Sequence, residues 1–345
     1  MERGNPRTKA SESAILRGLR KGVDAGWYSC GVVGRVGRDP VCFGNRRPGA
    51  AETEPVDTRS LFEVASLSKT MTAMIAARLW DAGMLDIDAP FTGYLPDHVL
   101  AAEGTKITIR HLAAHCSGFS DGWRWSRGSA WPFRTPDEFE AGTLAARPVR
   151  ALGERMVYAC HNMVLVGFAI ERVTGLDLDA AARKYVWGPL GMDRTTWRNC
   201  PESSETVQMY THGPIPPGLK GDEIARGFTR PLGNAGVFTC ADDLMRFAED
   251  LLARRAFPAR CYDLLFAPFY DGPDVRRSFG WDLSEHTRPC GWSPATIAHT
   301  GYTGQLLAVD PVAGKAGFVL TNLWADDAET RAAAYAARRE LLSLA

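Results

Sequence analysis

Apolar positions along this chain follow two different periods. In ASESAILRGLRKGVDAG (10–26), Ile15, Leu16, Leu19 and Val23 recur at helical spacing behind a serine N-cap, so a helix is expected there. WYSCGVVGRVG (27–37) and PVCFGN (40–45) are rich in β-branched and aromatic residues and read as two strands about a turn-like RDP. Helical spacing returns in the middle of the chain. It predicts helices over 66–82 (Leu67, Met71, Met74, Ile75 and Leu79, stopped at Gly83), over 108–116 with Thr108 as cap, and over 162–174, stopped at Gly175. Near the end, QLLAVDP and AGFVLTNL read as strands joined by VAGK, and DDAETRAAAYAARRELLSL as a closing amphipathic helix.

Strands at both ends with helices between them imply a mixed α/β chain. One sheet domain is expected from 1–65 and 240–345, and an inserted, mostly helical domain from 66–239. The cleft between them is the expected place for a site.

Composition narrows the function classes. The 345 residues, 45% of them hydrophobic, are enough for a packed core. Forty basic residues balance forty acidic ones without a polybasic run, which points away from nucleic acid and membrane surfaces and toward a small-molecule partner. The N-terminal stretch is charged throughout, and no apolar run approaches the ~18 residues of a membrane span, so a cytoplasmic protein is expected. Eight scattered cysteines without a C-x-x-C pair suggest neither a zinc knuckle nor a disulfide framework. No internal repeat or low-complexity linker interrupts the chain.

Chemistry enters at FEVASLSKTMTAMIAARL, where Ser66 and Lys69 are three apart at the start of a strong helix and share a face. A serine hydroxyl attacks poorly until its proton is taken. A lysine beside it either takes that proton or holds another base in its anionic form. In VYACHN, Tyr158, Cys160 and His161 are further candidates, but adjacent Cys160 and His161 point in different directions on a helix and form a poor dyad. His111 and His115 have zinc-ligand spacing, yet Leu112 stands where H-E-x-x-H needs glutamate, so an ordering role is expected and no metal. Cys116 reads as a small packed residue. The aromatic stretch DGWRWSRGSAWPF, with Trp123, Trp125, Trp131 and Phe133, reads as a loop able to line the mouth of the cleft.

These motifs occur in an order that resembles the serine β-lactamases and penicillin-binding proteins, in particular the class C-like branch with family VIII esterases and D-amino-acid peptidases. LFEVASLSKTMTA resembles the nucleophile helix, GERMVYACHNMVLVGFAIERVTG the tyrosine motif, and HTGYTGQLLAVDP the strand motif that is K-T-G in many relatives. LDIDAPFTGYLP, ITIRHLAAHCSGF, WGPLGMDRTTW and GNAGVFTCADDLMRF fit the segments between, so the likeness spans about 55–325. The resemblance implies an antiparallel sheet flanked by helices. It makes Ser66 the acyl-forming nucleophile, Lys69 its proton partner and Tyr158 the general base and later acid, with the N–H groups of Ser66 and Tyr302 as oxyanion hole. His299 and Gly301 of the strand motif, Cys160, Trp123 and Trp125 are the implied substrate contacts, and no cofactor is implied.

Two positions depart from the pattern. Cys160 stands where penicillin-recognising relatives carry an asparagine that holds the substrate amide, and a thiol is a feeble hydrogen-bond partner. His299 replaces the strand-motif lysine, so activity is expected to respond to pH near the histidine range. Together they favour an acyl-enzyme esterase of small carboxylic esters. A peptidase, amidase, acyltransferase or weak β-lactamase, or a non-catalytic ligand-binding relative, are the other readings.

Overall fold

The computed structural model describes residues 6–50, 52–120, 135–200, 203–211, 213–226, 230–324 and 327–344. Its five-stranded antiparallel sheet contains β1 (Cys30–Arg35), β2 (Arg38–Gly44), β3 (Ile297–Thr300), β4 (Leu306–Asp310) and β5 (Lys315–Thr321), in the spatial order β2-β1-β5-β4-β3. Val32 pairs with Leu320 and Val33 with Val319, so the two ends of the chain meet at the centre of the sheet.

Both faces of the sheet are covered, and the alternation of side chains shows by what. Val33, Leu306, Ala308 and Val319 join Ile15, Leu19, Leu341 and Leu342 in one apolar cluster. Those partners lie on α1 (Pro6–Asp24) and the closing helix α5 (Ala328–Leu344). The opposite residues of each strand, Val32, Leu307, Val309, Phe318 and Leu320, belong to the main core with Leu244, Phe247 and Leu251 of α4 (Ala241–Ala253). Period-2 alternation thus feeds two cores from one sheet.

The helices of the middle segment pack as layers of their own. In α2 (Ser68–Asp81), eleven of fourteen residues are buried, because α3 (Cys160–Thr174), helix Ala259–Phe266 and the segment around Trp187 surround it. Apolar residues all round a helix signal such full burial. A short ladder pairs Phe62 with Thr239 and Glu63 with Phe238, tying the chain before α2 to the chain before α4.

Several boundaries differ from those the sequence predicts. The first turn of the sheet is Val36–Gly37, not RDP: Arg35 pairs with Arg38, and Pro40 is tolerated because β2 is an edge strand with a register shift beside it. The helix capped by Thr108 spans only Ile109–Ala113, since His115 turns to φ +58°. Between β4 and β5 the strand resumes at Lys315, while Asp310 Oδ1 accepts from the N–H groups of Val312 and Ala313 to set the turn. All eight cysteines are free, and among the described residues no helix is long and apolar enough to cross a membrane.

Candidate active site

Ser66 lies in a tight turn, Ala65–Leu67, that leads directly into α2. Ala65 adopts φ +45°, a left-handed conformation that costs an alanine roughly 1 kcal/mol and persists only when neighbours over-determine it. Here they do. Ala65 N donates to Glu63 Oε1 at 3.0 Å, and Ser68 Oγ donates to Ala65 O at 2.7 Å while accepting from Val237 N at 3.0 Å.

Lys69, one helical turn on, is fully buried and reaches back to Ser66. Its Nζ lies 2.9 Å from Ser66 Oγ, 3.3 Å from Cys160 Sγ and 2.8 Å from Asn234 O. Burial opposes its charge, but the neighbouring Cys160 and Tyr158 outweigh this and push its pKa above the usual lysine range.

Tyr158 stands just before α3, and its ring is partly exposed at the cavity while packed on buried groups. The Lys69 ammonium lies 5.0 Å from its centre, and the His115 ring 4.6 Å away at a tilt of 35°. His115 is buried and held in place by Asn162 Nδ2, 3.1 Å from its Nδ1, and by Ala159 N at 3.3 Å. Burial, then the Arg277 and Lys69 charges, keep it neutral. Sequence reasoning found His115 only as half of a metal-like pair. His111, the other half, closes the capping box on Thr108.

The strand motif completes the site from the edge of the sheet. Ser66, Tyr158, His299, Gly301 and Tyr302 line one cavity of about 300 Å³, together with Met156, Arg277 and Asp282. Gly301 is there because nothing larger fits: a Cβ would stand 2.2 Å from Gln305 Oε1 and 2.8 Å from Val64 O. The Tyr302 carbonyl accepts from Tyr335 Oη at 2.7 Å, so α5 fixes the loop that follows the strand motif.

His299 corrects one expectation. It is buried, its Nδ1 lies 3.0 Å from Thr300 O, and burial followed by the Arg277 and Lys69 charges drives its pKa well below 6.5. It is therefore neutral at ordinary pH, and a pH response of activity in the histidine range does not follow from it. Cys160 lies against Lys69 rather than among the cavity-lining residues. Buried His161 packs its ring 4.8 Å from Phe119. Trp123, Trp125, Trp131 and Phe133 lie outside the described residues.

Two residues behind the site carried no sequence signal. Glu63 is fully buried and accepts from the N–H groups of Ala65 and Gly236, both at 3.0 Å, so it clamps the nucleophile turn to the segment that leads into Phe238–Thr239. Burial, aided by Asp222, pushes its carboxyl up to about 7. Arg277 is the second. It is buried at the cavity wall, its Nη1 3.2 Å from Asp282 Oδ2.

An antiparallel sheet flanked by helices, with a Ser-x-x-Lys turn opening a buried helix against the sheet edge, is the architecture of the β-lactamase/DD-peptidase fold. The chain belongs to the Beta-lactamase family, which it matches over residues 23–341, a family of serine hydrolases that act on small ester or amide substrates. It is 29% identical over 250 residues to a β-lactamase of Escherichia coli (strain K12), covering 70% of this chain and 59% of that protein. The chain thus spans about three fifths of that relative's length. It is 30% identical over 262 residues to Esterase EstB of Burkholderia gladioli, covering 66% of this chain and 67% of that one. Among solved structures, EstCE1, described as a hydrolase with promiscuous acyltransferase activity, has a TM-score of 0.78 at 20% identity, covering 97% of this chain and 98% of that one.

Proposed function

We propose that the chain is an esterase of small carboxylic esters, working through an acyl-enzyme on Ser66 in the cleft between a sheet domain (1–65 and 240–345) and a helical domain (66–239). The observation that carries the mechanism is the hydrogen bonding of Lys69. Ser66 Oγ, Cys160 Sγ, Asn234 O and Tyr158 all surround its Nζ and hold it protonated, and an ammonium has no lone pair to offer as a base. Ser66 accepts from it, which leaves the hydroxyl hydrogen to point elsewhere. Tyr158 takes that proton as Oγ attacks the ester carbonyl carbon, with the Lys69 ammonium 5.0 Å from its ring centre. The N–H groups of Ser66 and Tyr302 receive the oxyanion, Tyr158 returns the proton to the departing alkoxide, and water then cleaves the acyl-enzyme.

The ester preference draws on the 30% identity to EstB and on Cys160 in place of the amide-holding asparagine. Acyl transfer to an amine or alcohol is the second reading, favoured by the description of EstCE1. The test is intact-protein mass after brief exposure to p-nitrophenyl esters. An acyl increment that disappears in Ser66→Ala supports the proposal, and turnover unchanged in that variant overturns it. Partitioning to added alcohols separates transfer from hydrolysis.

A further inference from the structure

One buried charge stands behind the loop that follows the strand motif. Arg338 of α5 is 8% exposed, and its Nη1 lies 3.3 Å from Gly301 O and 3.1 Å from Gln305 O, at the two ends of the loop between β3 and β4. The Tyr335 ring covers the guanidinium, its centre 4.0 Å from Cζ, and among the described residues no carboxylate pairs with it. Burial lowers its pKa to about 10, so the group stays charged at neutral pH. A buried cation held by carbonyls and a ring costs more than an apolar side chain of similar size in the same place.

The loop does not need Arg338 as a donor. Gly301 O already accepts from Gly304 N at 3.2 Å, and Gln305 O from Gly301 N at 2.9 Å, which close a tight turn. Gln305 Nε2 ties that turn to Thr321 O on β5 at 2.7 Å and to Glu63 O at 3.3 Å, and Tyr335 Oη holds Tyr302 O at 2.7 Å. What the guanidinium adds is a charge at one end of one peptide unit. The Gly301 carbonyl and the Tyr302 N–H are the two ends of that trans peptide, so they point in opposite directions. A cation at the carbonyl fixes the plane of the unit and draws electrons from its nitrogen, which makes the N–H a stronger donor. Gly301 and Tyr302 line the same cavity as Ser66.

We propose that Arg338 is a positioning residue for the oxyanion, orienting and polarising from α5 the Gly301–Tyr302 peptide. As the bond from Ser66 Oγ to the carbonyl carbon forms, the π pair moves to the carbonyl oxygen and the Oγ proton to Tyr158; the polarised N–H meets the new charge on oxygen. This role rests on the acyl-enzyme reading, in which Tyr302 N–H is an oxyanion donor.

The test compares p-nitrophenyl butyrate with its thionoester analogue, in which sulfur replaces the carbonyl oxygen and accepts hydrogen bonds weakly. Arg338→Met keeps an apolar stem without a buried charge, so its urea midpoint is expected to equal or exceed that of the wild type. Its kcat on the oxygen ester falls about tenfold with KM little changed, less than the roughly 10²–10³ lost when an oxyanion donor is removed outright. The oxygen-to-thiono ratio of kcat/KM falls by a similar factor, and Arg338→Lys, which keeps a charge, recovers part of both. An arginine that only braces the fold would lower the urea midpoint and leave the ratio unchanged. An unchanged ratio in Arg338→Met, or a loss shared equally by the two esters, therefore overturns the role of Arg338 while Ser66-dependent turnover leaves the acyl-enzyme reading intact. Ester turnover that is absent from the wild type, or that persists in Ser66→Ala, overturns that reading and the role of Arg338 with it. Should Arg338→Met fail to fold, Arg338→Gln, which is also uncharged, is read in the same way.

Discussion

Lys69 Nζ lies 2.9 Å from Ser66 Oγ and donates equally well to Asn234 O at 2.8 Å. The nucleophile is thus fixed by a cation whose place is set from a separate segment of the chain. Lys69→Ala removes the cation that stands between Ser66 and Tyr158 and leaves a buried gap beside Ser66. Its kcat/KM on p-nitrophenyl butyrate is expected to fall by about 10²–10⁴, with the acylation burst lost. A burst of wild-type rate in this variant would detach Lys69 from acylation.

Tyr158→Phe keeps the ring stacked on His115 at 4.6 Å and removes only the hydroxyl. If Tyr158 moves the proton, kcat falls by about 10²–10⁴ while KM changes little, because the lost contact belongs to the transition state. A rise in KM with kcat preserved would make Tyr158 a binding residue instead. Steady-state kinetics on one ester decides.

The legible part of the site was the part written as local motifs. Ser66 and Lys69 are three apart on one face, and Tyr158, His299 and Tyr302 sit in recognisable phrases; Ser66, Tyr158, His299 and Tyr302 line one cavity, with Lys69 buried behind Ser66. Arg277 was not legible, because an arginine in RRSFGW looks like any solvated charge. Its burial comes from the close approach of Gly280 to Ala73 on α2, a long-range contact that no periodicity encodes. Glu63 hid in the same way, as a polar position in a two-residue strand whose partners lie at Ala65 and Gly236. His115 was mistaken for part of a helix because the spacing continued past Ala113, where the backbone turns to the left-handed region.

Glu63 makes stability depend on pH. Its carboxyl titrates near 7 in the folded chain against an ordinary 4.5, so between those values the native state holds a proton that the unfolded chain has released. The native state then binds more protons, and stability falls as pH rises from about 4.5 to about 7. Glu63→Gln stays neutral throughout and removes up to about 3 kcal/mol of that fall. Urea unfolding at several pH values across this range checks it. Parallel curves for the two proteins would mean that Glu63 is ionised in the native state.

Gly301→Ala tests whether the strand motif must touch the nucleophile turn. The added methyl would stand 2.8 Å from the Val64 carbonyl and 2.2 Å from Gln305 Oε1, so either the strand or the turn shifts. Overpacking of this kind costs about 1–3 kcal/mol, read as a lower urea midpoint. Activity is expected to fall further than stability explains, since the same shift moves Tyr302 relative to Ser66. A variant as stable and active as the wild type would show that the contact yields without consequence.

Cys160→Asn asks why a thiol occupies the amide-holding position. Its sulfur is 3.3 Å from Lys69 Nζ, a weak acceptor for a strong donor. An asparagine oxygen takes that N–H more firmly and leaves an amide N–H₂ to meet a carbonyl on the substrate side chain. Acylation by ampicillin, whose side chain carries such an amide, is expected to rise about tenfold, the worth of one additional hydrogen bond in a desolvated site. Intact-protein mass over time reads the acylated fraction directly. If the fraction stays at the wild-type level while ester turnover is retained, Cys160 is not what separates this site from its penicillin-binding relatives, and the neutral His299 at the strand motif becomes the residue to change next.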